Sequence, residues 1–170
     1  LVGSEMCIRD RGYNHQSSWA RGQAWGLYGF TMMYRFTKYP KYLELAKNAA
    51  NFIINHPNLP DDKIPFWDFN APNIPDTYQD ASAGAIICSA LIELSEYVDD
   101  ESAARYLSVA ERQIRSLASP AYRNALGNNG NFILKRSVGH MPNGYEVNVP
   151  LTYADYYFVE ALIRFKKRIE

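Results

Sequence analysis

Two types of predicted helix alternate along this chain. In one type, apolar side chains cover nearly every side of the helix, and in the other they form one stripe opposite a polar face. Helices of the first type belong inside a larger assembly, and helices of the second type belong on its outside. The alternation therefore predicts two concentric layers of helices. The five predicted helices cover about residues 17–37, 41–55, 80–98, 99–117 and 151–167.

The segments that join these helices differ in length and composition. Residues 56–79 contain five prolines, which predicts a long ordered loop. Residues 119–150 contain glycine and asparagine clusters, which predict short strands at 131–135 and 145–149 in a small hairpin or lid. Unequal loops exclude a solenoid of fixed period, and the lack of heptads excludes a coiled coil. The predicted fold class is all-α, an incomplete α/α toroid of about five helices with a small β-hairpin lid.

The first predicted helix, which Ser17 or Ser18 would cap, contains glycines that helix propensity alone would not select. These glycines recur at i, i+4 and i+7, and each costs about 1 kcal/mol relative to alanine. Such a stripe predicts that a neighbouring backbone approaches the helix closely. Its members are Gly22, Gly26 and Gly29.

Arg21 and Trp25 are one helical turn apart on the adjacent face, so a forked cation and an indole project side by side. The pair suits a sugar ring that carries a carboxylate, through bidentate hydrogen bonds and ring stacking. A structural interpretation of the same residues stays open. In that interpretation Trp19 and Trp25 are core aromatics, and the stem of Arg21 covers apolar surface.

Other residues are weaker candidates. Trp67 lies in the proline-rich loop, where it either lines a cleft or plugs the mouth of the toroid. Asp80 is sufficiently explained as the N-cap of the third helix. The histidines are too dispersed in sequence to predict a metal site. They are His15, His56 and His140.

Composition excludes several classes of partner. The 170 residues include 18 Lys+Arg and 18 Asp+Glu, so no net charge attracts nucleic acid or an anionic membrane. No apolar run is long enough to predict a membrane span. The two cysteines give neither a disulfide framework nor a metal-binding spacing. We therefore expect no nucleic-acid partner and no membrane partner, and the oligomeric state stays open.

The run WARGQAWGLYGF at residues 19–30 resembles the signature of the unsaturated glucuronyl hydrolases, glycoside hydrolase family 88. Further stretches agree with that family in the same order, so the resemblance covers most of residues 12–165. It implies a six-hairpin (α/α)6 barrel, of which somewhat under half would be present. The stretches are residues 42–60 (YLELAKNAANFIINHPNLP), 64–71 (IPFWDFNA), 80–95 (DASAGAIICSALIELS) and 150–164 (PLTYADYYFVEALIR).

The resemblance implies a glycosidase without metal or cofactor. Its partner would be an unsaturated oligosaccharide made by a polysaccharide lyase, from whose non-reducing end it removes a 4,5-unsaturated uronic acid. An aspartic acid protonates the ring double bond, water adds to the vinyl ether, and the resulting hemiketal opens, which differs from displacement between two carboxylates. Two alternatives stay open: an unsaturated rhamnogalacturonyl hydrolase on the same barrel, and a non-catalytic helical scaffold that binds carbohydrate.

Site residues follow from the same resemblance. Arg21 would hold sugar hydroxyls or the carboxylate, and Trp25 would wall the subsite, while Trp67 and His140 are candidates for the cleft rim. The family's two essential aspartates lie upstream of the matched segment, so we assign no catalytic residue and expect this chain alone to be inactive. Residues 137–149 occupy the place of the family's substrate-facing lid. Sulfate-reading members carry serines and a lysine there, whereas this sequence has Ser137, Gly139, His140, Asn143 and Glu146, which argues against a preference for sulfated fragments.

The first eleven residues, LVGSEMCIRDR, resemble a translated sequencing-adapter peptide. The family resemblance begins only at Gly12, and Arg11 stands where the family has a substrate-binding glutamine. We therefore expect residues 1–11 to be an artefact outside the fold and residues 12–170 to be the C-terminal part of a barrel. Cys7 and Asp10 are accordingly rejected as candidates.

Overall fold

The computed structural model describes residues 11–170, so almost all of the segment predicted to be an artefact, with Cys7 and Asp10, lies outside the described residues. Within the described part, five α-helices and a two-stranded sheet follow one another in the predicted order, which confirms the all-α class with a small hairpin. No helix in residues 11–170 is long and apolar enough to cross a bilayer. The helices are α1 (Ala20–Thr37), α2 (Pro40–Asn55), α3 (Ala81–Leu94), α4 (Asp100–Ala118) and α5 (Thr152–Ile169).

Helix α3 is the centre of the packing. Every one of its residues is buried, as its nearly continuous apolar surface predicted. It packs against α1, α4 and α5, while α2 packs against α1. The inner helices are therefore α1, α3 and α5, and the amphipathic α2 and α4 lie behind them. Helix α3 ends at Leu94, four residues before the predicted end at residue 98.

Local chemistry fixes three of the helix starts. The Asp80 carboxylate accepts a hydrogen bond from a backbone N–H in the first turn of α3, and Asp99 does the same for α4, so both predicted N-caps are confirmed. Pro40 is the first residue of α2, where its missing N–H costs nothing.

The predicted serine cap of α1 is wrong. Trp19 occupies the N-cap position and makes no side-chain capping bond. The Ser17 hydroxyl donates instead to the Asp68 carboxylate at 2.7 Å, and the Ser18 carbonyl accepts from the Phe69 N–H at 3.0 Å. Contacts with the long loop, rather than a local cap, therefore set the start of this helix.

Within residues 11–170, the glycine stripe of α1 does not receive a neighbouring backbone, which differs from the prediction. A β-carbon at Gly22 would lie 2.8 Å from Cε3 of Trp19, so this glycine makes room for an indole at the start of the same helix. At Gly26 and Gly29, no described atom outside the helix would lie within 4 Å of a β-carbon. Both glycines therefore border open space.

The hairpin consists of β1 (Ser137–His140) and β2 (Tyr145–Val149), which pair antiparallel. The predicted strand at 145–149 is confirmed, but the strand predicted at 131–135 is wrong. A short 3-10 turn, Asn129–Asn131, includes the first residue of that segment, and Leu134 pairs only in an isolated bridge with Arg123. Strand β1 is largely buried and contacts α3, whereas β2 is mostly exposed.

Candidate functional site

Arg21 lies at the start of α1, and its side chain is only 2% exposed. Its Nη1 donates to Asp80 Oδ2 at 2.8 Å and to Ser82 Oγ at 3.1 Å, both at the start of α3. The same guanidinium donates to the backbone carbonyls of Val138 and Gly139 in β1. One buried cation therefore joins two inner helices and the hairpin.

Two aromatic rings flank this guanidinium. Cζ of Arg21 lies 4.9 Å from the ring centroid of Trp19 and 5.3 Å from that of Tyr153, within the range of a cation–π interaction. Burial raises the pKa of the Tyr153 phenol, and the Arg21 charge partly opposes that rise, so the phenol stays neutral at physiological pH.

Asp80 is completely buried and uses both carboxylate oxygens. Oδ2 accepts from Arg21, while Oδ1 accepts from the Ser82 N–H at 3.0 Å, the Ser82 hydroxyl at 2.6 Å and the Val138 N–H at 3.2 Å. A buried carboxylate is tolerated only with such partners. The sequence predicted the N-cap but not the ion pair, because the partner is 59 positions away in the chain.

Trp25 lies one turn beyond Arg21 and is 36% exposed. Its ring centroid is 6.4 Å from that of Tyr153 and 5.2 Å from that of Tyr157, and Tyr157 in turn lies 4.9 Å from the exposed Tyr156. We call Trp25, Tyr153, Tyr156 and Tyr157 the aromatic wall. Tyr153 touches both Arg21 and Trp25, so the two predicted binding residues share a neighbour on α5. Sequence reasoning missed this neighbour, although the i, i+4 spacing of Tyr153 and Tyr157 signals it.

Comparison with known proteins gives a consistent result, although no protein-family model matches the chain. The unsaturated glucuronyl hydrolase of Formosa agariphila is 47% identical over 154 residues, which span 91% of this chain and 38% of that protein. The unsaturated chondroitin disaccharide hydrolase of Streptococcus agalactiae is 35% identical over 162 residues, which span 94% of this chain and 40% of that protein.

Solved structures agree with the sequence relationship. The crystal structure of an unsaturated glucuronyl hydrolase specific for heparin superposes with a TM-score of 0.91 at 48% identity, covering 94% of this chain and 42% of that one. The chain is a homologue of the unsaturated glucuronyl hydrolases. It spans about two fifths of the length of the relatives it matches. Over that part it has the helical barrel fold of the unsaturated glucuronyl hydrolases, which confirms the expected incomplete barrel.

The sequence also indicated Trp67 and His140 as candidates for the cleft rim. Trp67 is only 4% exposed; its Nε1 donates to the Thr77 hydroxyl at 3.3 Å, and its ring packs in a small apolar cluster with Val138. His140 is partly exposed at the end of β1, where its Nδ1 accepts from the Asn143 N–H at 3.3 Å. Trp67 therefore lies beneath the hairpin and His140 at its turn, and their place at a cleft rim stays a prediction.

A second polar network joins the three inner helices of this unsaturated glucuronyl hydrolase homologue. Arg164 of α5 pairs with the buried Glu93 of α3 and lies 3.3 Å from Glu160. Arg35 of α1 lies 3.2 Å from Glu93, and the Tyr28 hydroxyl donates to Glu160 at 3.1 Å. Burial and the nearby Glu160 raise the pKa of Tyr28 to about 12. Tyr28 joins this network to the aromatic wall, because its ring centroid lies 5.1 Å from that of Tyr157.

Proposed function

We propose that the protein to which this chain belongs removes 4,5-unsaturated uronic acid from the non-reducing end of lyase-generated oligosaccharides. The observation that carries the proposal is the 47% identity with an unsaturated glucuronyl hydrolase over 91% of the chain. The alternatives, a rhamnogalacturonyl hydrolase and a non-catalytic scaffold, gain no support from the relatives compared.

In this proposal the aromatic wall forms one side of the sugar subsite, with Trp25 as its stacking surface. The exposed ring of Trp25 offers an apolar face, and the neighbouring tyrosines supply hydroxyl groups at its edge. Such a surface suits a sugar ring, which has apolar C–H faces and polar edges.

Arg21 is the proposed polar contact of the subsite. A guanidinium has five N–H donors, and among residues 11–170 no acceptor is in place for its Nε. Because Asp80 already neutralises the cation, we assign Arg21 to sugar hydroxyls at least as much as to the uronate carboxylate.

The proposed reaction begins with protonation of the ring double bond by a carboxylic acid, after which water adds and the hemiketal opens. The buried carboxylates of this chain are poor candidates for the general acid, because donors within the protein already occupy their oxygens. Asp68 accepts three hydrogen bonds, Asp80 has Arg21, and Glu93 has two arginines. We therefore assign the general acid to a part of the protein outside residues 11–170.

Glycosaminoglycan fragments are the first substrates to test. The relatives include an unsaturated chondroitin disaccharide hydrolase, and a Streptococcus agalactiae structure is complexed with dGlcA-GalNAc6S. The heparin-specific enzyme is more similar to this chain, at 48% identity against 34%. This difference favours heparin-derived disaccharides, although the hairpin lacks the residues expected of a sulfate-reading lid.

The test is turnover by the purified full-length gene product. Incubation with unsaturated heparin- and chondroitin-derived disaccharides should abolish the ultraviolet absorbance of the double bond, and mass spectrometry should find the two monosaccharide products. Matched disaccharides with a saturated uronic acid should stay intact. Unchanged absorbance with every unsaturated disaccharide would overturn the proposed function.

A further inference from the structure

We propose that Asp80 is a positioning residue of the site, which holds both the Arg21 guanidinium and strand β1 in place. Its two carboxylate oxygens make different contacts. Oδ1 caps α3 through the Ser82 N–H and also accepts from Val138, whereas Oδ2 accepts from Arg21. An N-cap needs only one oxygen, so the contact through Oδ2 serves something other than the helix start.

Asp99 shows what an N-cap looks like without this second role. Its carboxylate accepts from the Ser102 N–H and hydroxyl, each at 2.9 Å, at the start of α4. Asp99 is exposed, and within residues 11–170 it forms no salt bridge, whereas Asp80 is completely buried against a guanidinium. The two aspartates therefore form a matched pair that differs in the ion pair and in burial.

Val138 is held at both of its backbone polar groups by this ion pair. Its N–H donates to Asp80 Oδ1 at 3.2 Å, and its carbonyl accepts from Arg21 Nη1. The Gly139 carbonyl accepts from Nη2 of the same guanidinium. Asp80 and Arg21 together therefore hold β1 against the start of α3, and we call this set of contacts the dock. Removing Asp80 leaves the buried Arg21 cation without its counter-charge.

The hairpin needs such a dock because its backbone is strained. Arg136, Glu146 and Asn148 have φ values of 66°, 53° and 57°, in the left-handed region that residues other than glycine rarely adopt. Conformations of this kind persist only where surrounding contacts impose them. Contacts to the buried β1 must therefore hold the shape of the whole hairpin, including the exposed β2.

The experiment compares Asp80→Asn with Asp99→Asn. Asparagine caps helices as well as aspartate does, so both variants keep their helix starts, and only Asp80→Asn removes a buried charge. The first readout is hydrogen exchange of residues 137–149 in the chain. We expect exchange there to be faster by about tenfold or more in Asp80→Asn, and unchanged in Asp99→Asn. If the hairpin of Asp80→Asn exchanged its amide hydrogens as slowly as that of wild type, the proposal would be overturned.

Arg21→Lys is the second variant, in case Asp80→Asn does not fold. Lysine keeps a positive charge opposite Asp80 but lacks the fork that reaches both carbonyls. We expect the hairpin in Arg21→Lys also to exchange faster than in wild type. Normal hairpin protection with a lysine at this position would contradict a dock built on the guanidinium.

The effect of Asp80 on activity rests on the proposed function and is measured separately, with the full-length gene product. Asp80→Asn should raise KM for an unsaturated disaccharide by about tenfold or more and change kcat by less than about threefold, because a binding contact loses its orientation. Asp99→Asn should change neither constant. A fall in kcat alone, at unchanged KM, would indicate a general structural defect and would overturn the positioning role.

The two readouts separate the two proposals. If wild type turns over no unsaturated disaccharide but the hairpin exchange of Asp80→Asn is faster, the proposed function fails and the dock stands. If wild type is active and neither hairpin exchange nor KM changes in Asp80→Asn, the positioning role fails and the proposed function stands.

Discussion

Gly84 of α3 packs directly against the side chain of Ile64 in the long loop. A β-carbon at position 84 would lie 2.8 Å from Ile64 Cδ1 and 3.4 Å from its Cγ2. Ile64 is completely buried and Gly84 is also buried, so the isoleucine has no open space into which it could turn. The missing side chain of Gly84 lets the loop lie directly on the central helix.

Gly84→Ala should therefore destabilise the chain by about 1–2 kcal/mol, because overpacking exceeds the gain in helix propensity. Gly29→Ala is the control, since a β-carbon there would meet no described atom outside its helix within 4 Å. It should stabilise the chain by up to about 1 kcal/mol. Urea unfolding of both variants gives the comparison, and shifts of the same sign would contradict this account of Gly84.

Trp25→Ala should weaken substrate binding if Trp25 stacks on the sugar. In the full-length gene product we expect KM for an unsaturated disaccharide to rise by about fivefold, since an aromatic contact is worth on the order of 1 kcal/mol. Phe36→Ala removes an aromatic ring that is 73% exposed near the other end of α1, and it should leave KM unchanged. Equal effects of the two substitutions would remove Trp25 from the subsite.

Glu93→Gln should destabilise the chain because it leaves Arg35 and Arg164 without the buried carboxylate between them. Loss of a buried partner costs about 3–5 kcal/mol, and the partial exposure of both arginines reduces our expectation to about 2–3 kcal/mol. Glu111→Gln breaks an exposed i, i+4 pair with Arg115 and should cost less than about 0.5 kcal/mol. Denaturant titration measures both, and equal costs would show that the network adds nothing.

His56 should make stability depend on pH. Burial lowers its pKa, and the charge of Asp68 only partly opposes this. The folded state therefore binds fewer protons than the unfolded state, and the free energy of unfolding should fall as pH drops through about 6.5. His56→Gln should lose less stability than wild type between about pH 7.5 and pH 5.5.

The control for this measurement is His15→Gln, which removes an exposed histidine. It should keep the pH dependence of wild type. If His56→Gln and wild type lost stability in parallel, the dependence would have to come from other groups.

Features of the fold that depend only on residues adjacent in the sequence could be predicted from it. Pro40, Asp80 and Asp99 mark helix starts because their effect is confined to one turn. The glycine spacing of α1 identified a face of the helix but not what lies against it. The strand expected at 131–135 did not form, since Leu134 pairs only in an isolated bridge with Arg123, and alternation of side chains does not report which backbone segment lies alongside.

The candidate site was less predictable for a related reason. Arg21 and Trp25 could be paired because they are one turn apart. Nothing near Asp80 in the sequence separates it from Asp99, since each precedes a helix and caps it through a serine N–H. Only the folding of β1 and α1 onto Asp80 distinguishes them, and those contacts join residues more than fifty positions apart.

The ionic network among α1, α3 and α5 has a mechanical consequence. Sliding one helix by a single residue moves it by about 1.5 Å, enough to pull Glu93 of α3 out of contact with Arg35 of α1 or Arg164 of α5. These ionic contacts therefore fix the positions of the three helices along their axes before any ligand binds. If Trp25 stacks on a sugar as proposed, it and Tyr157 are already aligned on two of these helices, so little of the stacking energy would be lost to ordering the protein.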